Sequence, residues 1–167
     1  MAKTSTFDVT SEVDLQEVDN ALNQARKEIS QRYDFKGATT EIEFDRKEGA
    51  LDLLADDDYK LKALVEVVEG KLAKRGVPIR NLDYGEVHQA FGGKARQRIT
   101  LVQGISTEKG KEIVKAIKAA GFKKVNAQIQ DEQVRVSSPS IDELQAVIAA
   151  LRKEDFGIEL SFGNFRS

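Results

Sequence analysis

The chain has 167 residues, 40% of them hydrophobic, with 26 Lys/Arg against 28 Asp/Glu and no Cys. That apolar content supports packed cores, and the lack of Cys excludes disulfides, thiolate nucleophiles and Cys-ligated zinc or iron–sulfur sites. No apolar run reaches the roughly 18 residues of a membrane helix and the first residues lack the apolar core of a secretory signal, so the expectation is a cytoplasmic globular protein with no membrane partner.

Taken in order, Thr6–Ser11 alternates Phe7 and Val9 with Asp8 and Thr10, the period of a strand with one buried face. Asp14 with Glu17 three residues on forms a capping box, and Leu15, Val18, Leu22, Ala25 and Ile29 follow at helical spacing over 14–33. Phe35-Lys36-Gly37 ends that helix. Thr40–Asp45 and Ala50–Ala55 are two strands of a hairpin. A second helix opens at Asp56-Asp57-Asp58, carries Leu61, Leu64, Val65, Val68 and Leu72, and closes at Gly76. Acids at a helix start complement its dipole, which accounts for the Asp run without a metal. Ile79–Tyr84 and Glu86–Phe91 are short extended pieces.

Arg96–Gln103 alternates again, with Ile99 and Leu101 on one side. Ser106 or Thr107 caps a third helix over about 107–120, whose apolar side is Ile113, Val114, Ile117 and Ala120. Lys124–Gln130 and Gln133–Ser137 are strands joined at Asp131-Glu132. Ser138-Pro139 is expected to cap the fourth helix, which carries Leu144, Val147, Ile148 and Leu151, and Ile158–Phe162 is the last strand.

The order strand–helix–strand–strand–helix–strand therefore occurs twice. The fold class is α+β: two ferredoxin-like (βαββαβ) domains, 1–85 and 86–167, each a four-stranded antiparallel sheet with two helices on one face. Leu54 and Val102 on the other faces leave open that the domains pack together there, or that each half takes its first strand from the other.

Charge marks the halves differently. Residues 1–85 hold 13 Lys/Arg against 18 Asp/Glu, a net of −5, and residues 86–167 hold 13 against 10, a net of +3. Gly92–Lys124 alone holds nine Lys/Arg against two acids, +7. A local cationic excess suits a polyanion, and lysines kept for solubility give the same pattern. A helix start with Lys109 and Lys111 can hold a phosphate. Lys115 adds charge on the same helix, Lys123 and Lys124 flank the next strand, and Arg135 offers a bidentate contact. The alternative for Arg135 is an ion pair with an acid on a neighbouring strand. The strands that would carry base-stacking aromatics in an RNA-recognition module hold only Phe7, on the core side. No phosphate-cradling glycine motif or nucleophile pattern occurs, no acid–base arrangement points to an enzyme, and the lone His88 fits a structural place.

Several stretches resemble the YajQ family of bacterial proteins. These are Phe7-Asp8-Val9 through Val18, Arg32-Tyr33-Asp34-Phe35-Lys36-Gly37, Lys74-Arg75-Gly76, Gln103-Gly104-Ile105, Val125–Gln130 with Val134-Arg135-Val136, and Asn164-Phe165-Arg166. They run from about 6 to 166. The resemblance implies two ferredoxin-like domains and a nucleotide-binding protein without a known enzymatic role. Its implied partners are purine nucleotides, cyclic di-GMP as a signalling effector, and RNA. One departure stands out. The family has a basic, glycine-containing turn after the third strand of its second domain, where this chain has Ser137-Ser138-Pro139-Ser140 with no basic residue. Three functions follow as expectations: a regulatory nucleotide-binding protein, an RNA-binding protein that works by charge alone, and a protein-interaction module serving a regulatory partner.

Overall fold

The computed structural model describes residues 3–167. In chain order the elements are β1 (Ser5–Thr10), α1 (Leu15–Gln31), β2 (Thr40–Asp45), β3 (Ala50–Ala55), α2 (Asp58–Lys74), β4 (Leu82–Tyr84), β5 (His88–Gln89), β6 (Ala95–Leu101), α3 (Thr107–Ala119), β7 (Asn126–Gln130), β8 (Gln133–Ser138), α4 (Ile141–Lys153) and β9 (Ser161–Arg166). Short 3₁₀ turns cover Tyr33–Phe35, Ile79–Asn81 and Phe91–Gly93. The mixed α+β architecture, with four helices and two antiparallel sheets, is that of two ferredoxin-like domains. Among the described residues no helix is long and apolar enough to cross a membrane.

The two compact units do not divide at 85/86. One is Val13–Val102, and the other joins the residues up to Glu12 with Gln103–Ser167. The strand order gives the reason. The first unit's sheet runs β2-β3-β6-β4, with β5 also on β6, and the second runs β7-β8-β1-β9. Thus β6 lies between β3 and β4, through Leu51↔Ile99 and Tyr84↔Ile99. Likewise β1 lies between β8 and β9, through Phe7↔Val136 and Val9↔Phe162.

In the 13–102 unit, α1 and α2 cover one sheet face. Asp14 caps α1 by accepting from the amides of Gln16 and Glu17, and Asp57 caps α2 by accepting from that of Lys60. The core joins Leu22, Ala25, Leu61, Leu64 and Leu72 of the helices to Leu51, Leu53 and Ile99 of the sheet. Ion pairs Lys71–Glu28 (3.0 Å) and Arg75–Glu17 (2.9 Å) join the two helices outside it.

In the other unit, α3 and α4 cover the face that carries Phe7, Val9, Val134 and Val136, all fully buried. Gly110 of α3 lies directly against Ile129 of β7. The fourth helix is capped by Ser140, which accepts from Glu143 N, and not by Ser138. Ser138 is 1% exposed and sits opposite Ser5 in the ladder, so the strand claims it. The last strand starts at Ser161 and not at Ile158, and its register shifts between Gly163 and Arg166, where Asn164 adopts φ 54°. Such a bulge breaks the alternation from which strands are recognised.

Gly104 connects these pieces. Its amide donates to Ser11 O (2.7 Å), the next amide, Ile105 N, donates to Glu132 O (2.8 Å), and its φ is 78°. A Cβ there would lie 2.9 Å from Glu132 Cβ. Gly104→Ala is therefore expected to cost about 1–3 kcal/mol, from left-handed backbone plus the clash. A drop in thermal midpoint against wild type checks this, and an unchanged midpoint would show that the loop relaxes freely.

Candidate functional site

The sites read from the sequence lie in different places. Thr107–Ala119 spans 13 residues, which is about 20 Å of helix. Lys109 and Lys111 are at its start, while Lys123 and Lys124 follow its far end. Lys109 is half-buried, its Nζ lying against Gly157 and 3.3 Å from Glu112 Oε2, while Lys111, Lys115, Lys123 and Lys124 are exposed. Arg135 lies on the other side of the sheet. Its strand neighbours Val134 and Val136 are fully buried on the helix-covered face, and alternation turns Arg135 to the helix-free face. So the α3 lysines and Arg135 do not converge on one ligand.

The charge asymmetry also dissolves. Counted by compact unit, 13–102 has 15 Lys/Arg and 17 Asp/Glu, and the remainder of the chain has 11 of each. The basic stretch 92–124 is cut by the fold. Arg96 and Arg98 belong to β6, on the face that also carries Glu41, Glu43 and Asp52. Arg98 bonds Asp52 (2.9 Å) and Asp45 (3.4 Å), and the nearby Asp52 carboxylate raises its pKa. A groove of about 230 Å³ there is lined by Glu41, Glu43, Asp52, Leu54 and Arg96. Three carboxylates around one guanidinium make it a poor seat for phosphate.

The helix-free face of β7-β8-β1-β9 has a different character. The ladder sets Gln128 opposite Arg135, Arg135 opposite Asp8, and Asp8 opposite Gly163. One register step along, Asn126, Ser137, Thr6 and Arg166 form a second row. Every side chain in these two rows can hydrogen-bond and none is apolar.

At the centre, Asp8 is 3% exposed. Arg135 donates to it twice, Nε to Oδ1 (2.9 Å) and Nη2 to Oδ2 (3.4 Å), and Asn164 Nδ2 donates to Oδ2 (2.6 Å). Arg166 Nε in turn donates to Asn164 Oδ1 (3.3 Å). The Arg135 hydrogen bond holds the Asp8 carboxyl below the usual carboxylate range; burial opposes this and the Asn164 bond reinforces it. The same bond raises the Arg135 pKa. Of the two expectations for Arg135, the ion pair to a neighbouring strand is the one present, although its side chain stays 32% exposed. Asp8, Gln128, Asn164 and Arg166 lie in the stretches that resemble the family, yet none of them is among the site residues expected from the sequence. Arg135 and Asp8 are 127 residues apart in the chain, so no local pattern could have paired them.

A sequence profile described as "Nucleotide-binding protein YajQ-like" matches residues 5–166. A protein named "Nucleotide-binding protein" from Syntrophotalea carbinolica is 56% identical, over 96% of this chain and 98% of that one. One of the same name from Carboxydothermus hydrogenoformans is 51% identical over 99% and 100%. Another, from Heliobacterium modesticaldum, is 50% identical over the whole of both chains. With a profile match over nearly its full length and relatives at this identity, the chain belongs to the YajQ-like family.

Proposed function

We propose that this protein binds a purine nucleotide, cyclic di-GMP included, on the helix-free face of the β7-β8-β1-β9 sheet, and acts as a regulatory effector. The observation that carries the reading is the pair of rows Gln128–Arg135–Asp8 and Asn126–Ser137–Thr6–Arg166. Amides and hydroxyls match the mixed donors and acceptors of base edges and ribose, and the guanidinium groups of Arg135 and Arg166 add paired donors and positive charge. Lys123 and Lys124 stand just before β7 and add positive charge at that edge. The names of the relatives agree with a nucleotide ligand.

Isothermal titration of the full chain with GTP, ATP, cyclic di-GMP and a short RNA tests this. At least one nucleotide is expected to bind, and Gln128→Ala with Arg166→Ala together to weaken it at least tenfold, since a lost neutral hydrogen bond costs about 0.5–1.5 kcal/mol and one from a charged group about 1.5–3 kcal/mol. Both residues are exposed or near-exposed, so the thermal midpoint is expected to stay within a degree or two of wild type. Failure of every nucleotide to bind would end the reading.

The exposed Lys111, Lys115 and Lys118 on α3 favour a second reading, RNA held by charge alone. It predicts affinity that falls steeply with salt and shows little base preference. Replacing these three lysines would abolish RNA binding and leave nucleotide binding intact.

A further inference from the structure

Arg135 carries five N–H donors in a planar fork and no acceptor. Asp8 takes one side of the fork, through Nε and Nη2. Nη1, and the second hydrogen of Nη2, form the other edge, and among the described residues Nη1 donates no hydrogen bond. Asp8 is itself held by Asn164 and is almost fully buried, so the guanidinium plane is fixed from behind while the side chain remains about one-third exposed. A guanidinium ordered in advance loses little freedom on meeting a ligand.

Two ligand groups fit such an edge, a phosphate and the O6/N7 edge of guanine. The surroundings separate them. Gln128 is the cross-strand neighbour of Arg135, and Asn126 and Ser137 form the adjoining pair. These uncharged groups suit a base edge, and the other charge of the immediate row is the Asp8 carboxylate, which disfavours a second anion. Adenine offers N7 as acceptor but an amino group where guanine has O6, so a donor would meet a donor.

We propose that Arg135, held by Asp8, is the specificity-determining residue of the nucleotide site and selects guanine over adenine. This rests on the nucleotide reading above and adds the identity of the base and the residue that reads it.

Competition binding on the full chain with GMP, AMP, IMP and 7-deaza-GMP tests it. GMP and AMP share ribose and phosphate and differ in the base. GMP is expected to bind about tenfold or more tighter than AMP. IMP, which keeps O6 and N7, is expected to match GMP, and 7-deaza-GMP, which lacks N7, to fall towards AMP. These four comparisons need no variant. Arg135→Lys keeps a cation for Asp8 but has no fork, and is expected to bring the GMP/AMP ratio close to one, with its thermal midpoint measured alongside. Equal binding of GMP and AMP by wild type would place the fork on phosphate and overturn the proposal while nucleotide binding stands. A guanine preference that survives Arg135→Lys would also overturn it. If none of the four binds, and GTP, ATP and cyclic di-GMP fail as well, the nucleotide reading itself fails, and this proposal with it.

Discussion

Expressed alone, residues 13–102 are expected to unfold in one cooperative transition, and residues 86–167 are expected not to fold. The first fragment holds a complete sheet, β2-β3-β6-β4, with α1 and α2 on it. The second lacks β1. Within it β9 has no partner, because β1 is the strand it pairs with, and β8 loses the ladder from Ser5↔Ser138 to Val9↔Val134. It also loses Phe7 and Val9, both fully buried. Phe7 alone meets the rings of Phe162 and Phe165, at centroid distances of 6.1 and 5.9 Å. A buried Phe is worth about 3–5 kcal/mol against Ala, which is comparable to the whole stability of a small domain. In addition β6 would keep Ile99 without the Leu51 ladder it pairs with. Urea unfolding followed by far-UV circular dichroism reads the difference. A sigmoidal transition for 86–167 would mean that the β1 pairing is dispensable.

Asp8→Ala is expected to lower stability by about 1–3 kcal/mol, the cost of losing charge-assisted hydrogen bonds at a buried carboxylate whose guanidinium partner stays one-third exposed. It would leave Arg135 uncompensated and Asn164 Nδ2 without its acceptor. The sign of the pH dependence follows from the depressed Asp8 pKa. A carboxyl more acidic in the folded protein than in the unfolded chain stabilises the fold above the unfolded value, near pH ~4. That contribution disappears as pH falls through the folded value. The gap between wild type and Asp8→Asn in urea midpoint is therefore expected to be widest near neutral pH and to narrow below pH ~4. A gap that stays constant down to pH ~2 would assign the effect to packing and not to the charge.

What could be read along the chain was whatever repeats at the period of one element. The alternation Phe7/Val9, the hairpin Thr40–Asp45 with Ala50–Ala55, and the stripes Leu61–Leu72 and Ile113–Ile117 placed strands and helices correctly, and the order of elements gave the ferredoxin-like class. The cap at Asp14 was also legible and that of the third helix was narrowed to Ser106 or Thr107, of which Ser106 forms it, because a cap bonds an amide two or three residues away. Three things were not. The place of β1 between β8 and β9, and of β6 between β3 and β4, depends on which free edges meet, and strand edges of similar pattern carry no address. The charge of each unit followed that choice, since Arg96 and Arg98 went with β6 to the acidic strands and the basic half ceased to exist. The site changed for the same reason. Side-chain type marked Arg135 as a residue able to grip a phosphate bidentately or to pair with a neighbouring acid. Only the tertiary structure set it across the sheet from the α3 lysines and against an Asp 127 residues away, because cross-strand contacts are fixed by ladder register and not by distance along the chain.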